Sequence, residues 1–319
     1  MSLQTRKETT MLALIQDTDH CLVNGVPLSA DEIAAFHRHG FIKIKGFLTA
    51  HAIEALKREA GARVISARDA KSAYGDSFNR LTYDLGRTEV LKRIYSSTAF
   101  RTALVTLTGH PLIMTESQSF ELTAHQQGFA WHYDSLSFRY IRPQDAAFSV
   151  WIPLDPIHNA GQRGGMAYVP ESLYSAKANF QLASLLSRKM AAGLSVEDFS
   201  AHLRGIFNTP SLLTEIFEEH KTQDDFALGD VLFFSKSLWH RSEPLLPGPL
   251  QARLAVTIRF LDWRSRLDKT LFEGESESGG GVGMGVNWGK PTQTAYGSQF
   301  TDIDDGEEIR TSRHCGPII

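Results

Sequence analysis

Between Leu112 and Phe260 the chain repeatedly alternates its apolar residues with a period of two, and this pattern restricts the fold more than any other feature. Leu112, Met114, Glu116, Gln118, Phe120 and Leu122 make one such set. Short β-rich runs follow at Ala147 to Leu154, Met166 to Val169, Phe226 to Ser235 and Ala252 to Phe260, with a turn signal at Gly229-Asp230. Successive side chains on a strand point to opposite faces, so runs of this kind require sheets with one face on a core. Helical patterns come first. Ser29 and Glu32 form a capping box, Leu28 and Ile33 fit the accompanying hydrophobic staple, and the helix stops at Gly40. Phe41 to Phe47 alternates like a strand, and further helices start near Thr49, Thr88 and Ser97, the last ending at Gly109. The expectation is a mainly β fold with a helical buttress.

At 319 residues the chain can bury a sizeable core. We expect a single domain: a helical part over 28–110, a β core over 111–262 and a loop-rich extension over 263–319. Residues 176–222 interrupt the strand rhythm with helical spacing of Phe180, Leu182, Leu185, Leu186 and Met190, then Phe199, Leu203, Ile206 and Phe207. This insert reads either as a lid over a pocket or as a layer packed on the outside of a sheet. Lys plus Arg number 33 against 36 Asp plus Glu, a balance that argues against a nucleic-acid partner. Two cysteines, Cys21 and Cys315, fit a reducing compartment. The apolar run Met11 to Ile15 is too short for a signal peptide or membrane span, so a cytoplasmic location with no membrane partner is expected. The glycine-rich stretch at 279–289 is no phosphate loop, because Met284 and Pro291 stand where Gly and Ser or Thr are required. It reads as a mobile loop.

The residues that carry chemistry begin at Trp131-His132-Tyr133-Asp134. On a strand His132 and Asp134 share a face, and an imidazole beside a carboxylate can hold one metal ion from one direction. A third ligand from a distant strand would complete a face of two His and one carboxylate, the donor set of non-haem Fe(II) oxygenases. His240, after the Gly229-Asp230 turn and a short apolar strand, is placed to supply it. Arg253 and Arg259 follow on the next strand; six residues apart, they share a face with Arg259 about 20 Å further along. An Arg fork suits the bidentate capture of a carboxylate such as that of a 2-oxo acid.

These segments resemble the phytanoyl-CoA dioxygenase (PhyH) family of Fe(II)/2-oxoglutarate-dependent oxygenases. Glu32 to Leu48 is similar to the family's N-terminal helix and following strand, Gln118 to Asp134 to the strand pair that delivers His-x-Asp, and Val150 to Asp155 with Gly164 to Ser172 to two further motifs. The similarity spans about residues 28 to 262, except for a stretch between about 175 and 222 that does not align. Gly164-Gly165 replaces the usual Asn-Gly, and Pro170-Glu171-Ser172 replaces Pro-Gly-Ser-His, which puts the shape of the pocket in question.

The resemblance implies a double-stranded β-helix (jelly-roll, cupin-like) core. It implies Fe(II) held by the catalytic set His132, Asp134 and His240, with 2-oxoglutarate and O2 as co-substrates. Arg253 would pair with the far carboxylate of 2-oxoglutarate, and Gln118 would touch the co-substrate; otherwise Gln118 is a solvated position on a sheet edge. The implied reaction hydroxylates an unactivated C–H bond of a small molecule, releasing succinate and CO2. Asp134 stands where related halogenases carry Gly or Ala, which implies oxygen chemistry without halogenation. Arg139 and Arg163, with Arg142, either meet an acidic substrate or pair on the surface. Two rival readings are a metal-binding cupin that uses no 2-oxo acid, which would not need Arg253, and a non-catalytic ligand-binding jelly roll, in which the triad would be expected to decay. The oligomeric state is left open.

Overall fold

The computed structural model describes residues 21–67, 69, 76–83, 85–134, 136–138, 140–195, 197–198, 210–269, 300–312, 316 and 318–319. Helix α1 (Ala30–His39) starts on the Ser29–Glu32 capping box and ends at Gly40, whose φ of 79° a side chain would strain. Helices α2 (Ala50–Arg63), α3 (Glu89–Ser96) and α4 (Thr98–Thr108) start on the hydroxyls of Thr49, Thr88 and Ser97. Replacing any of these caps by alanine would cost about 1 kcal/mol.

With strands numbered in chain order, the larger sheet is antiparallel and runs β1 (Phe41–Ile44), β8 (Val231–Ser235), β5 (Ala147–Pro153), β10 (Ala252–Asp262), β4 (Leu112–Thr123), β3 (Arg80–Thr82), β2 (Ile65–Ser66). The smaller sheet runs β7 (Thr222–Gln223), β6 (Met166–Val169), β9 (Trp239–Ser242). Strand β10 shows how the period of two sorts the layers. Leu254, Val256, Ile258 and Phe260 join Phe36, Leu56, Leu91 and Leu104 of the helices in one buried core. Arg253, Thr257 and Arg259 point the other way, into a cavity between the sheets, and Ala255 packs there with Met166 and Tyr168 of β6. Each fully buried Leu, Val, Ile or Phe on the helical side contributes about 1.5–3 kcal/mol. That side anchors the sheet, and the site is built on the other.

The turn at Gly229-Asp230 ties β8 to the N-terminal segment. Gly229 sits at φ 96°, and its ideal Cβ would lie 2.3 Å from the Leu48 carbonyl oxygen, so only glycine fits. Asp230 accepts from the amides of Gly46 and Ala227.

One expectation needs correction. Strand β4 is not one alternating face: Arg259 pairs with Glu116 but Phe260 with Met114, so Thr115 is the extra residue of a bulge. Leu112 and Met114 therefore face the helices while Phe120 and Leu122 face the opposite side. One inserted residue reverses the facing of everything beyond it. Of the two readings of the insert, its described part follows the outer layer. Phe180 of α5 (Lys177–Ala191) and Phe217 of α6 (Pro210–His220) bury against Trp131, Tyr133, Ala167, Val169 and Trp239, the face of the smaller sheet opposite His240. Phe199, Leu203, Ile206 and Phe207 lie outside the described residues. The described residues of the C-terminal extension also contribute a core. Phe300, Ile303 and Ile309 pack with Phe138, Tyr140 and Ile113 in a core of their own. The glycine-rich stretch 279–289 and Cys315 lie outside the described residues. Among the described residues no helix is long and apolar enough to cross a membrane.

Candidate metal centre and co-substrate pocket

His132 and His240 come together through the backbone. Each donates its amide to the other's carbonyl, at 2.9 and 2.8 Å, in a single antiparallel bridge. The strand expected at Trp131 to Asp134 is thus reduced to one bridged residue. Its alternation survives: Trp131 and Tyr133 enter the outer aromatic core, and His132 and Asp134 line the cavity. One ligand atom from each of His132, Asp134 and His240 lies within 4.8 Å of the others, and His240 Nε2 is 3.8 Å from Asp134 Oδ1.

The remaining atoms of the three side chains are already committed. The Nδ1 atoms of His132 and His240 lie 2.7 and 2.9 Å from the carbonyl oxygens of Ala130 and Leu238. A carbonyl only accepts, so each Nδ1 carries the proton and each Nε2 keeps its lone pair for the centre. Ser149, on β5, donates its hydroxyl to Asp134 Oδ2 at 2.6 Å, and Arg259 stands 3.5 Å from Oδ1. Burial pushes the pKa of His132 down to about 3, assisted by the neighbouring His240, and burial lowers that of His240 as well. Burial works against the charge on Asp134, yet Arg259, the two histidines and the Ser149 hydroxyl hold its pKa at about 2. Two neutral imidazoles and one carboxylate is the protonation state a divalent ion needs.

Arg253 faces the same cavity from β10. It is 3 % exposed, and its Nε donates to the Gly164 carbonyl at 2.7 Å. Gly164, the first glycine of the unusual Gly164-Gly165 pair, has φ 84°, and its ideal Cβ would lie 2.9 Å from Leu245, so it is constrained by packing as well as by dihedral. NH1 reaches the Phe120 carbonyl at 3.5 Å, and the guanidinium lies 5.7 Å from the Trp151 ring. Burial lowers its pKa to about 10, with Asp155 acting the other way. Asp155 is spoken for by Lys57 and the Leu254 amide, so among the described residues Arg253 has no carboxylate hydrogen-bond partner.

The other expected residues fall differently. Gln118 accepts from Arg259 at 2.6 Å and does not line the cavity. Arg259 is not remote from the triad; it bridges Asp134, Gln118 and Glu116, because the cavity extends along β10 to reach both arginines. Arg163, at φ 60°, is half exposed, 3.9 Å from Glu243 and outside the cavity lining. Arg142 pairs with Asp145, and Arg139 lies outside the described residues. Sequence reasoning missed Ser149, Thr257, Phe78, Phe129, Trp151, Met166 and Phe234, all at the site. Thr257 was within reach of it, since it shares parity with Arg253 and Arg259. Phe78 was not, because residues 63–87 carry no period.

The family model described as phytanoyl-CoA dioxygenase (PhyH) matches residues 36–184, a span that holds His132 and Asp134 and ends before His240 and Arg253. No curated protein sequence gives a match. Among solved structures, the non-heme alpha ketoglutarate dependent carbocyclase SnoK from nogalamycin biosynthesis is similar, with TM-score 0.59 and 14% identity over 94% of this chain and 100% of its own. The epimerase SnoN from the same biosynthesis gives 0.54 and 15% over 90% and 96%. EctD from S. alaskensis gives 0.52 and 18% over 78% and 82%. At such identities the likeness establishes the fold, a jelly-roll core, and not the substrate.

Proposed function

On the premise that residues 36–184 form a segment of the phytanoyl-CoA dioxygenase (PhyH) family, we propose that this chain is an Fe(II)- and 2-oxoglutarate-dependent oxygenase of a small molecule. Within that class we assign it the hydroxylation of an unactivated C–H bond. The observation that carries the reading is the pairing of two features across one cavity. His132, Asp134 and His240 converge at the cavity, and Arg253, a buried cation with no carboxylate hydrogen-bonded to it among the described residues, lines the same cavity.

The donor set fits the ion. Two Nε2 atoms and Asp134 Oδ1 would hold Fe(II) on one face, and the backbone carbonyls of Ala130 and Leu238 keep both rings in the required tautomer and orientation. Bound Fe(II), 2-oxoglutarate and O2 together supply the oxidant for C–H cleavage, with succinate and CO2 as co-products. Ser149 fixes the outer oxygen of Asp134, which leaves the inner one to the metal. Arg253 would pair with the far carboxylate of 2-oxoglutarate, and the Gly164 carbonyl holds the guanidinium in place for it. The Trp151 ring lies 5.7 Å from the guanidinium, and with Met166 and Phe234 it gives the cavity an apolar lining that excludes water and would strengthen the ion pair. Gln118 acts through Arg259 and not on the co-substrate. A cupin that used no 2-oxo acid would have no need to bury Arg253.

Anaerobic addition of Fe(II) and 2-oxoglutarate tests the centre directly. The weak visible charge-transfer band of the chelate should form in the wild type and be lost in His240→Ala. A band unchanged in the variant would remove His240 from the metal. A metabolite screen scored by succinate release, with oxygen-18 gas, then identifies the reaction; a product without incorporated oxygen would replace hydroxylation by another oxidation.

A further inference from the structure

We propose, resting on the oxygenase reading above, that the substrate is an uncharged molecule that lays a flat aromatic face against a wall of phenylalanines. Phe78, Phe120 and Phe129 all line the cavity, and their rings touch one another: 4.7 Å between the centroids of Phe78 and Phe120, 4.7 Å for Phe78 and Phe129, 5.3 Å for Phe120 and Phe129. Phe129 lies 5.0 Å from the His132 ring, and Tyr83, which is 48% exposed, meets Phe120 edge-on at 6.3 Å. A continuous run of rings therefore leads from the surface to the imidazole at the metal centre. Phe78 and Phe120 also close a small core with Leu81 and Leu122, but Phe129 is only partly buried and presents its ring to the cavity.

Charge at the site supports the same conclusion. Arg241 is paired with Glu218 and Glu243, and Arg259 with Glu116 and Asp134. Arg253 belongs to the co-substrate. Asp134 is the only carboxylate among the described lining residues, and the metal takes it. No acidic group in that lining is left to hold the ammonium of an amino acid, and no further cation is placed for the phosphates of an acyl thioester. What the described wall offers is π faces and edges, which select planar rings by offset and edge-to-face packing.

The test is equilibrium dialysis of the full chain loaded with Mn(II) and 2-oxoglutarate, using naphthol and hydroxyanthraquinone as probes beside proline, arginine and palmitoyl-CoA. The ring compounds should bind, and Phe129→Ala should weaken them by about tenfold or more, equivalent to about 1.4 kcal/mol. The 2-oxoglutarate Kd, followed in the same samples, should stay within about twofold, and its behaviour in the wild type reports on the oxygenase reading separately. Should Phe129→Ala not fold, Phe129→Leu carries the same comparison. Binding of an amino acid or the thioester in place of the ring compounds, failure of every ring probe to bind, or an affinity unchanged by loss of the Phe129 ring, overturns the proposal.

Discussion

Replacing Arg253 by Met should remove most of the stabilising response to 2-oxoglutarate while leaving the ligand-free protein nearly as stable as before. The burial of this guanidinium lowers its pKa from its ordinary range, more than two units higher, to about 10. At about 1.4 kcal/mol for each tenfold step, that is about 3 kcal/mol against the folded state. The group is a base with a depressed folded pKa, so the penalty is fully present below about pH 10 and is relieved only above it. At neutral pH the variant escapes all of it. Against that gain, the Gly164 carbonyl loses its donor, at a cost of about 1–3 kcal/mol, and methionine fills most of the vacated volume. The two effects nearly cancel, and in a chain of 319 residues a residual imbalance of about 1 kcal/mol would move Tm by about 1–2 °C. The ligand is a different matter. Removing one partner of a buried charge pair costs about 2–5 kcal/mol, or roughly 30- to several-thousand-fold in Kd. A hundredfold excess over the wild-type Kd stabilises the folded state by about 2.7 kcal/mol, and in Arg253→Met that gain should fall to about 1 kcal/mol or less. Thermal unfolding with Mn(II), with and without 2-oxoglutarate, measures both quantities. A variant that keeps the ligand-induced shift, while Arg259→Met loses it, would show that the wrong arginine has been assigned.

Three further outcomes are expected. His132 is buried with a folded pKa of about 3, so the unfolded chain binds its proton first and the metal-free protein should lose stability as pH falls from about 6.5 towards 3; in His132→Gln, urea melts across that window should show a shallower slope, and an unchanged slope would refute the cause. Phe217 is fully buried in the outer aromatic core, so Phe217→Ala should cost about 3–5 kcal/mol in urea melts and leave the 2-oxoglutarate KM unaltered, whereas a large KM effect would restore the lid reading. Wild-type product formed in chloride buffer should carry no chlorine by mass spectrometry, since Asp134 fills the coordination place a halide would need, and Asp134→Gly should lose turnover without rescue by added chloride.

The sequence by itself determined the elements and the identity of the converging groups. Helix ends at Ser29, Gly40, Thr49, Thr88, Ser97 and Gly109 are local chemistry, a hydroxyl for an orphan amide or a glycine for a left-handed turn, and needed no partner to be read. The period of two placed Arg253, Thr257 and Arg259 on one face because alternation is a property of the strand alone. The order His132, Asp134, His240, Arg253 was likewise visible along the chain. Tertiary structure decided what contact over long separations decides. A bulge at Thr115 exists only in relation to β10, so the flip of Leu112 and Met114 to the helical side has no signature in β4 itself. Which face the insert covers depends on the apolar side of the smaller sheet, formed by residues as far apart as Trp131 and Trp239. The two arginines differ in which one finds a carboxylate. Arg259 meets Asp134 and Glu116 inside the protein, Arg253 meets only carbonyls and a ring, and spacing along one strand carries no information about the residues folded opposite it.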